Sequence, residues 1–123
     1  HIERLTSGGD RLTLVLAFNY SSRREMVLAA QSLAERVANG ELKVEDIDEE
    51  CFASSLMTVD IPDPDLIIRT SGECRLSNFL LWQASYSEFY FPEVLWPDFT
   101  EEEFDRAIES YTHRDRRYGL VKK

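Results

Sequence analysis

Arg69, Glu73, Arg75 and Ser77 stand close together in a short polar stretch after an apolar one, PDLIIRTSGECRLSN. Leu66-Ile67-Ile68 reads as a brief buried strand that ends on Arg69. Thr70-Ser71-Gly72 reads as the turn that follows. In an open α/β sheet, ligands collect outside the carboxyl ends of the strands. Two guanidinium groups and a hydroxyl at such an end suit an anion, because the planar fork of arginine matches phosphate oxygens. Glu73 lies between the arginines and can orient one or both. The plainer alternative is a surface ion-pair cluster beside a turn, which is common and weak.

The elements that would position these groups follow from pattern. Leu12 to Phe18 is continuously apolar, which predicts a strand covered on both faces, as in a parallel sheet. Ser22 with Glu25 has the form of a capping box, so a helix is expected from there to about Asn39, with Gly40 beyond its end. Met26, Ala30, Leu33 and Val37 form its apolar stripe, widened by Val27 and Ala34. This order places Asn19 and Arg23 as candidate rim residues at the same sheet edge as Arg69. A short acidic helix is expected between Val44 and Leu56, with Ile47, Cys51 and Phe52 as inward positions. Pro62 and Pro64 make an extended approach to Leu66. Phe79 to Gln83 reads as a turn or two of buried helix, and Glu88 to Phe91 as a third strand stopped by Pro92. Thr100 with Glu103 caps a last helix, carrying Phe104, Ala107, Ile108 and Tyr111 inward and ending near Arg114. Three parallel-type strands do not close a sheet, and the first lacks a neighbour. Residues 1–123 are therefore expected to be the C-terminal part of a larger α/β domain: a mostly parallel sheet flanked by helices.

Composition narrows the function. The net charge is -9, which argues against a general nucleic-acid binder. The stretch from Glu41 to Asp65 is acidic with only Lys43 against it and reads as a solvated face. No apolar run approaches the ~20 residues needed to span a bilayer. The polar start, HIERLTSGGDR, lacks the apolar core of a signal peptide. Cys51 and Cys74 form no CxxC, and His1 and His113 give no zinc spacing, so free thiols in a reducing compartment are the default. Neither GxGxxG nor GxxxxGK[ST] occurs, which disfavours a nucleotide-binding domain.

The stretch PDPDLIIRTSGECRLSNFLLWQASYSEFYF resembles the signature of cis-prenyltransferases, the undecaprenyl diphosphate synthase family. Asn19-Tyr20-Ser21-Ser22-Arg23 upstream and Arg117-Tyr118-Gly119 downstream support the resemblance, although the family usually has glycines at Ser21 and Ser22. Enzymes of this family condense isopentenyl diphosphate repeatedly onto an allylic diphosphate, with Mg²⁺. By resemblance, Arg69, Arg75 and Ser77 hold the diphosphate of isopentenyl diphosphate, and Glu73 supports those arginines. Glu88 matches a Mg²⁺-binding carboxylate. Arg117 and Gly119 match an Arg-x-Gly ending that reaches the partner's site in a homodimer. The resemblance implies a cytoplasmic transferase whose product, of undecaprenyl type, associates with the membrane. The family's aspartate motif for the allylic diphosphate does not occur here, so no catalytic residue is assigned in this half, and the 123 residues alone are expected to be inactive. The competing readings are a non-catalytic partner subunit, whose diphosphate and metal positions would be degraded, and a plain dimerisation module, which leaves the arginine pair unexplained.

Overall fold

A computed structural model describes Arg4 and residues 6–114. The elements are helix α1 (Ser22–Ala38), short helix α2 (Glu49–Ala53), strand β1 (Leu66–Ile68), strand β2 (Glu88–Tyr90) and helix α3 (Glu101–Thr112). Single 3₁₀ turns lie at Val44–Asp46, Gln83–Tyr86 and Trp96–Asp98.

β1 and β2 pair in parallel, with Leu66 opposite Glu88, Ile67 opposite Phe89 and Ile68 opposite Tyr90. The ladder runs one bond beyond each end, through Glu88 N–H to the Asp65 carbonyl and Arg69 N–H to the Tyr90 carbonyl, both 2.9 Å. Residues 69–87 make the crossover that a parallel pair requires. α3 lies against β2, and α1 against α2. The chain is thus α/β, as its pattern predicts. Its apolar core is made of Ala29, Leu33, Leu56, Ala84 and Ala107. Three of these are alanines, so elements approach closely where they meet.

The expected first strand does not form. Leu12 to Phe18 has no ladder, and its side chains face solvent, with Leu12 85% and Phe18 84% exposed. A strand exists only through a partner's backbone, and none of the described residues pairs with this run. The pattern was that of a covered strand, but neither a neighbouring strand nor a covering layer is found among the described residues.

α1 begins one residue earlier than the capping pattern suggests. Ser21 is the N-cap, its hydroxyl accepting from Arg24 N–H, and Ser22 is already helical. Nor does the buried stripe follow Met26, Ala30 and Val37; it runs through Ser22, Glu25, Ala29 and Leu33. The polar residues on it serve other segments. Glu25 is 1% exposed and accepts from Tyr20 Oη, from Met57 N–H at 2.8 Å and from Gln83 Nε2 at 3.1 Å. Gln83 Nε2 also reaches Thr58 Oγ1 at 2.8 Å, while its Oε1 is buried without a partner among the described residues.

The acidic segment divides into the 3₁₀ turn and α2, which Asp48 caps by accepting from Cys51 N–H at 2.8 Å. Phe52 packs on Trp82 with ring centroids 4.6 Å apart, whereas Ile47 stays exposed. Phe79 to Gln83 is not helical until the 3₁₀ turn, because Leu80 has φ +47, outside the helical region. α3 starts as expected, with the Thr100 hydroxyl accepting from Glu103 N–H at 3.4 Å. Ala107 is fully buried on it, but Phe104 and Ile108 remain largely exposed.

Candidate functional site

Strand β1 delivers the chain to Arg69, whose backbone is held by Tyr90. The turn beyond it is tied to the segment after β2: Ser71 N–H donates to the Val94 carbonyl at 2.8 Å and Gly72 N–H to the Pro92 carbonyl at 2.9 Å. Ser71 and Gly72 have φ +70 and +65, so the chain reverses through two left-handed residues. Glycine suits the second, and the serine has no such freedom. Among the described residues Arg69 makes no ion pair and is half-buried.

Glu73 and Arg75 are joined by a salt bridge on the surface of the following loop, with Arg75 61% exposed. An exposed pair of this kind contributes about 0–1 kcal/mol to stability. Its effect is geometric, because it holds one guanidinium edge and leaves the other to solvent. Ser77, two residues on, is exposed with φ +50.

The loop then meets the start of α1. Asn78, at φ +64, accepts through Oδ1 from Arg23 N–H at 2.8 Å and donates through Nδ2 to Ser21 Oγ at 2.8 Å. Its carbonyl accepts from Ser22 N–H at 3.0 Å. Ser22 Oγ accepts in turn from Leu81 N–H at 2.9 Å. With Arg24 N–H on Ser21 Oγ and Glu25 N–H on the Ser21 carbonyl, all the first donors of α1 are taken. A free helix N-terminus is a ready anion site, but this one is spent on protein, so an anion here must be held by side chains. Arg23 therefore lies beside the 77–81 loop, brought there through Asn78 and not through a shared strand end. Asn19 is exposed at φ +53, and its neighbour Tyr20 meets Phe79 edge-on at 5.6 Å. Asn78 carries no charge and follows the more conspicuous Arg and Ser positions. Its one signal in the sequence was an amide type that tolerates left-handed backbone.

Glu88 is brought to a different level. Its register partner is Leu66, so Arg69 lies three residues further along the parallel pair, roughly 10 Å away. Arg114 grips the Glu88 carboxylate, with Nη1 2.9 Å from Oε2, and its Nη2 donates to the Phe89 carbonyl at 2.9 Å. Arg114, expected only to mark the end of the last helix, thus crosses to β2. Among the described residues, no group of three or more His, Cys, Asp or Glu side chains is placed to hold a metal ion. Arg117 and Gly119 lie outside the described residues. Both cysteines are free. Among the described residues, no helix is long and apolar enough to cross a membrane.

Comparison with known proteins identifies the family and the fold. The family model described as undecaprenyl diphosphate synthase, a prenyltransferase family, matches residues 1–119. The isoprenyl transferase of Thermotoga maritima is 56% identical over 118 residues, 96% of this chain and 50% of that protein. That of Bacillus subtilis is 54% identical over 116 residues, covering 94% and 45%. Among solved structures, lavandulyl diphosphate synthase from Lavandula x intermedia, in complex with dimethylallyl diphosphate, superposes with a TM-score of 0.90 at 43% identity over 95% of this chain and 50% of that one. A probable undecaprenyl diphosphate synthase from Campylobacter jejuni gives 0.77 at 39% identity, covering 96% and 52%. The chain spans about half the length of the curated relatives it matches. On the breadth of these matches and the shared fold, the chain belongs to the undecaprenyl diphosphate synthase family of prenyltransferases.

Proposed function

We propose that these residues supply the isopentenyl diphosphate grip of a prenyltransferase of family length. That enzyme would condense isopentenyl diphosphate onto an allylic diphosphate to build a long polyprenyl diphosphate of undecaprenyl type. The observation that carries the reading is the loop after β1. It presents Arg69, Arg75 and Ser77, has Arg75 braced by Glu73, and lies beside a helix start whose amides are occupied. A diphosphate there would draw its hydrogen bonds from guanidinium and hydroxyl groups, each charged bond contributing about 1.5–3 kcal/mol. The allylic substrate would be held by residues outside this chain; the Lavandula relative carries such a diphosphate. Arg117 and Gly119 are proposed to act across a homodimer, and the hydrophobic product to partition to the membrane.

Glu88 is proposed as a Mg²⁺ ligand. Mg²⁺ is commonly held through one or two carboxylates, substrate phosphates and water. Glu88 suits that mode as a single carboxylate, because Arg114 occupies only Oε2. When bound, the ion supplies positive charge for diphosphate oxygens. Glu73 and Arg114 orient the groups on which that charge and the substrate would act.

The test is steady-state kinetics of the family-length enzyme. Arg69→Ala and Arg75→Ala should each raise KM for isopentenyl diphosphate by about tenfold or more, the loss of one charged hydrogen bond. An unchanged KM in both variants removes the diphosphate assignment.

A further inference from the structure

We propose that Asn78 is a positioning residue: it locks the loop bearing Arg75 and Ser77 onto the first turn of α1, so that this loop and the Asn19–Arg23 rim form one rigid body. The inference rests on the reading of that loop as the isopentenyl diphosphate grip.

The loop itself has little to hold it. Ser77, Asn78 and Leu80 all occupy left-handed backbone, a conformation that non-glycine residues keep only when their surroundings impose it. Arg75 and Ser77 are exposed, and the salt bridge of Arg75 goes to Glu73 on the same loop. The constraint comes from one amide. Its oxygen takes Arg23 N–H, its nitrogen takes Ser21 Oγ, and its own carbonyl takes Ser22 N–H. Asn78 thus satisfies two helix donors that no residue within the helix can satisfy. The return bond from Leu81 N–H to the buried Ser22 hydroxyl closes the far side of the turn. The loop is clamped on both sides of Leu80, immediately after Ser77. A substrate-binding loop held in place loses less freedom on binding, so the clamp should show in substrate affinity more than in global stability.

Two substitutions separate these effects in the family-length enzyme. Asn78→Gly keeps the left-handed backbone and removes both side-chain bonds. Asn78→Asp keeps the acceptor for Arg23 N–H, and the Ser21 hydroxyl can turn to donate to its second oxygen. We expect Asn78→Gly to raise KM for isopentenyl diphosphate by about tenfold, leaving KM for the allylic diphosphate and the melting temperature close to wild type. Asn78→Asp should restore most of the loss. Hydrogen exchange at the Arg23 and Leu81 amides should quicken in the glycine variant and not in the aspartate one. A normal isopentenyl diphosphate KM in Asn78→Gly, with Arg75→Ala impaired, overturns the inference and leaves the parent reading intact. Equal rises in both KM values with a lowered melting temperature also overturn it, since that is a structural role. If Arg75→Ala is itself normal, the parent reading has failed and the clamp loses its function with it.

Discussion

Replacing Glu25 by alanine should be among the most damaging single changes in the described fold. The side chain carries no catalytic assignment, but it accepts from three donors on three segments: Tyr20 Oη, Met57 N–H and Gln83 Nε2. Alanine leaves the Tyr20 and Met57 donors without this acceptor, together with one of the two Gln83 amide hydrogens, the other still reaching Thr58 Oγ1. An orphaned buried donor costs about 1–3 kcal/mol, and the Tyr20 and Met57 donors are only part-buried, so the lower half of that range applies to them. The sum is about 3–7 kcal/mol. For a family-length domain of roughly 150–250 residues, each kcal/mol lowers the melting temperature by about 2–4 °C, which predicts a fall of about 6–28 °C. Glu25→Gln should cost much less, about 1–2 kcal/mol. Gln83 can turn its amide over and present Oε1, the buried oxygen that now has no partner. The assay is urea unfolding by circular dichroism, with the loss read from the midpoint at constant slope. A loss under about 1 kcal/mol for Glu25→Ala would refute the reasoning, because it would mean that water replaces the carboxylate freely and the network is not a structural anchor.

Three further outcomes are expected. Glu88→Ala should raise the Mg²⁺ concentration that half-saturates turnover and Arg114→Ala should raise it by less, since the guanidinium orients the carboxylate through Oε2 and leaves the other oxygen to the ion; identical Mg²⁺ titrations would take both residues out of the metal site. The Tyr20 phenol is raised above its ordinary value by burial first and by the Glu25 carboxylate next. Its proton is therefore held more tightly in the folded chain, so its contribution is complete below the unfolded value of about 10 and is lost as pH climbs through the folded one. Tyr20→Phe should flatten the alkaline limb of a stability–pH curve, and superimposable limbs would contradict this. Thr100→Ala removes the α3 cap and should cost about 0.5–1 kcal/mol by thermal melting. It should also weaken the acid dependence, because the Thr100 hydroxyl holds the Glu102 carboxyl below the usual carboxylate range, a contribution present above the unfolded value and lost as pH falls through the folded one.

What could be read from residues alone divides along a physical line. Local chemistry was readable: Thr100 caps where its spacing says, Pro92 ends the ladder, and Leu66–Ile68 forms a strand. Glu73, Arg75 and Ser77, proposed as part of the grip, were conspicuous because arginine, glutamate and serine at alternating positions are chemically distinctive. Partnership was not readable. Leu12–Phe18 has the composition of a covered strand, but composition cannot say whether the cover is present. Glu25 looked like half of a capping box because its spacing from Ser22 fits, and nothing local signals that Met57 and Gln83 will claim it. Arg114 looked like no more than a helix end, because its bond to Glu88 depends on how α3 lies across β2. Asn78 was overlooked for a related reason: an amide acts through the backbone it meets, and that backbone is fifty-five positions away.

The bare Leu12–Phe18 ribbon also bears on how the polypeptide behaves when produced. Backbone that no described residue pairs with, flanked by leucine, valine and phenylalanine, is a template for aggregation, since any similar stretch can dock along it. In a crowded translation mixture, two such chains would meet ribbon to ribbon and seed inclusion bodies. A polypeptide that offers a matching strand early enough would keep them in solution, which makes the order of synthesis and pairing a determinant of yield.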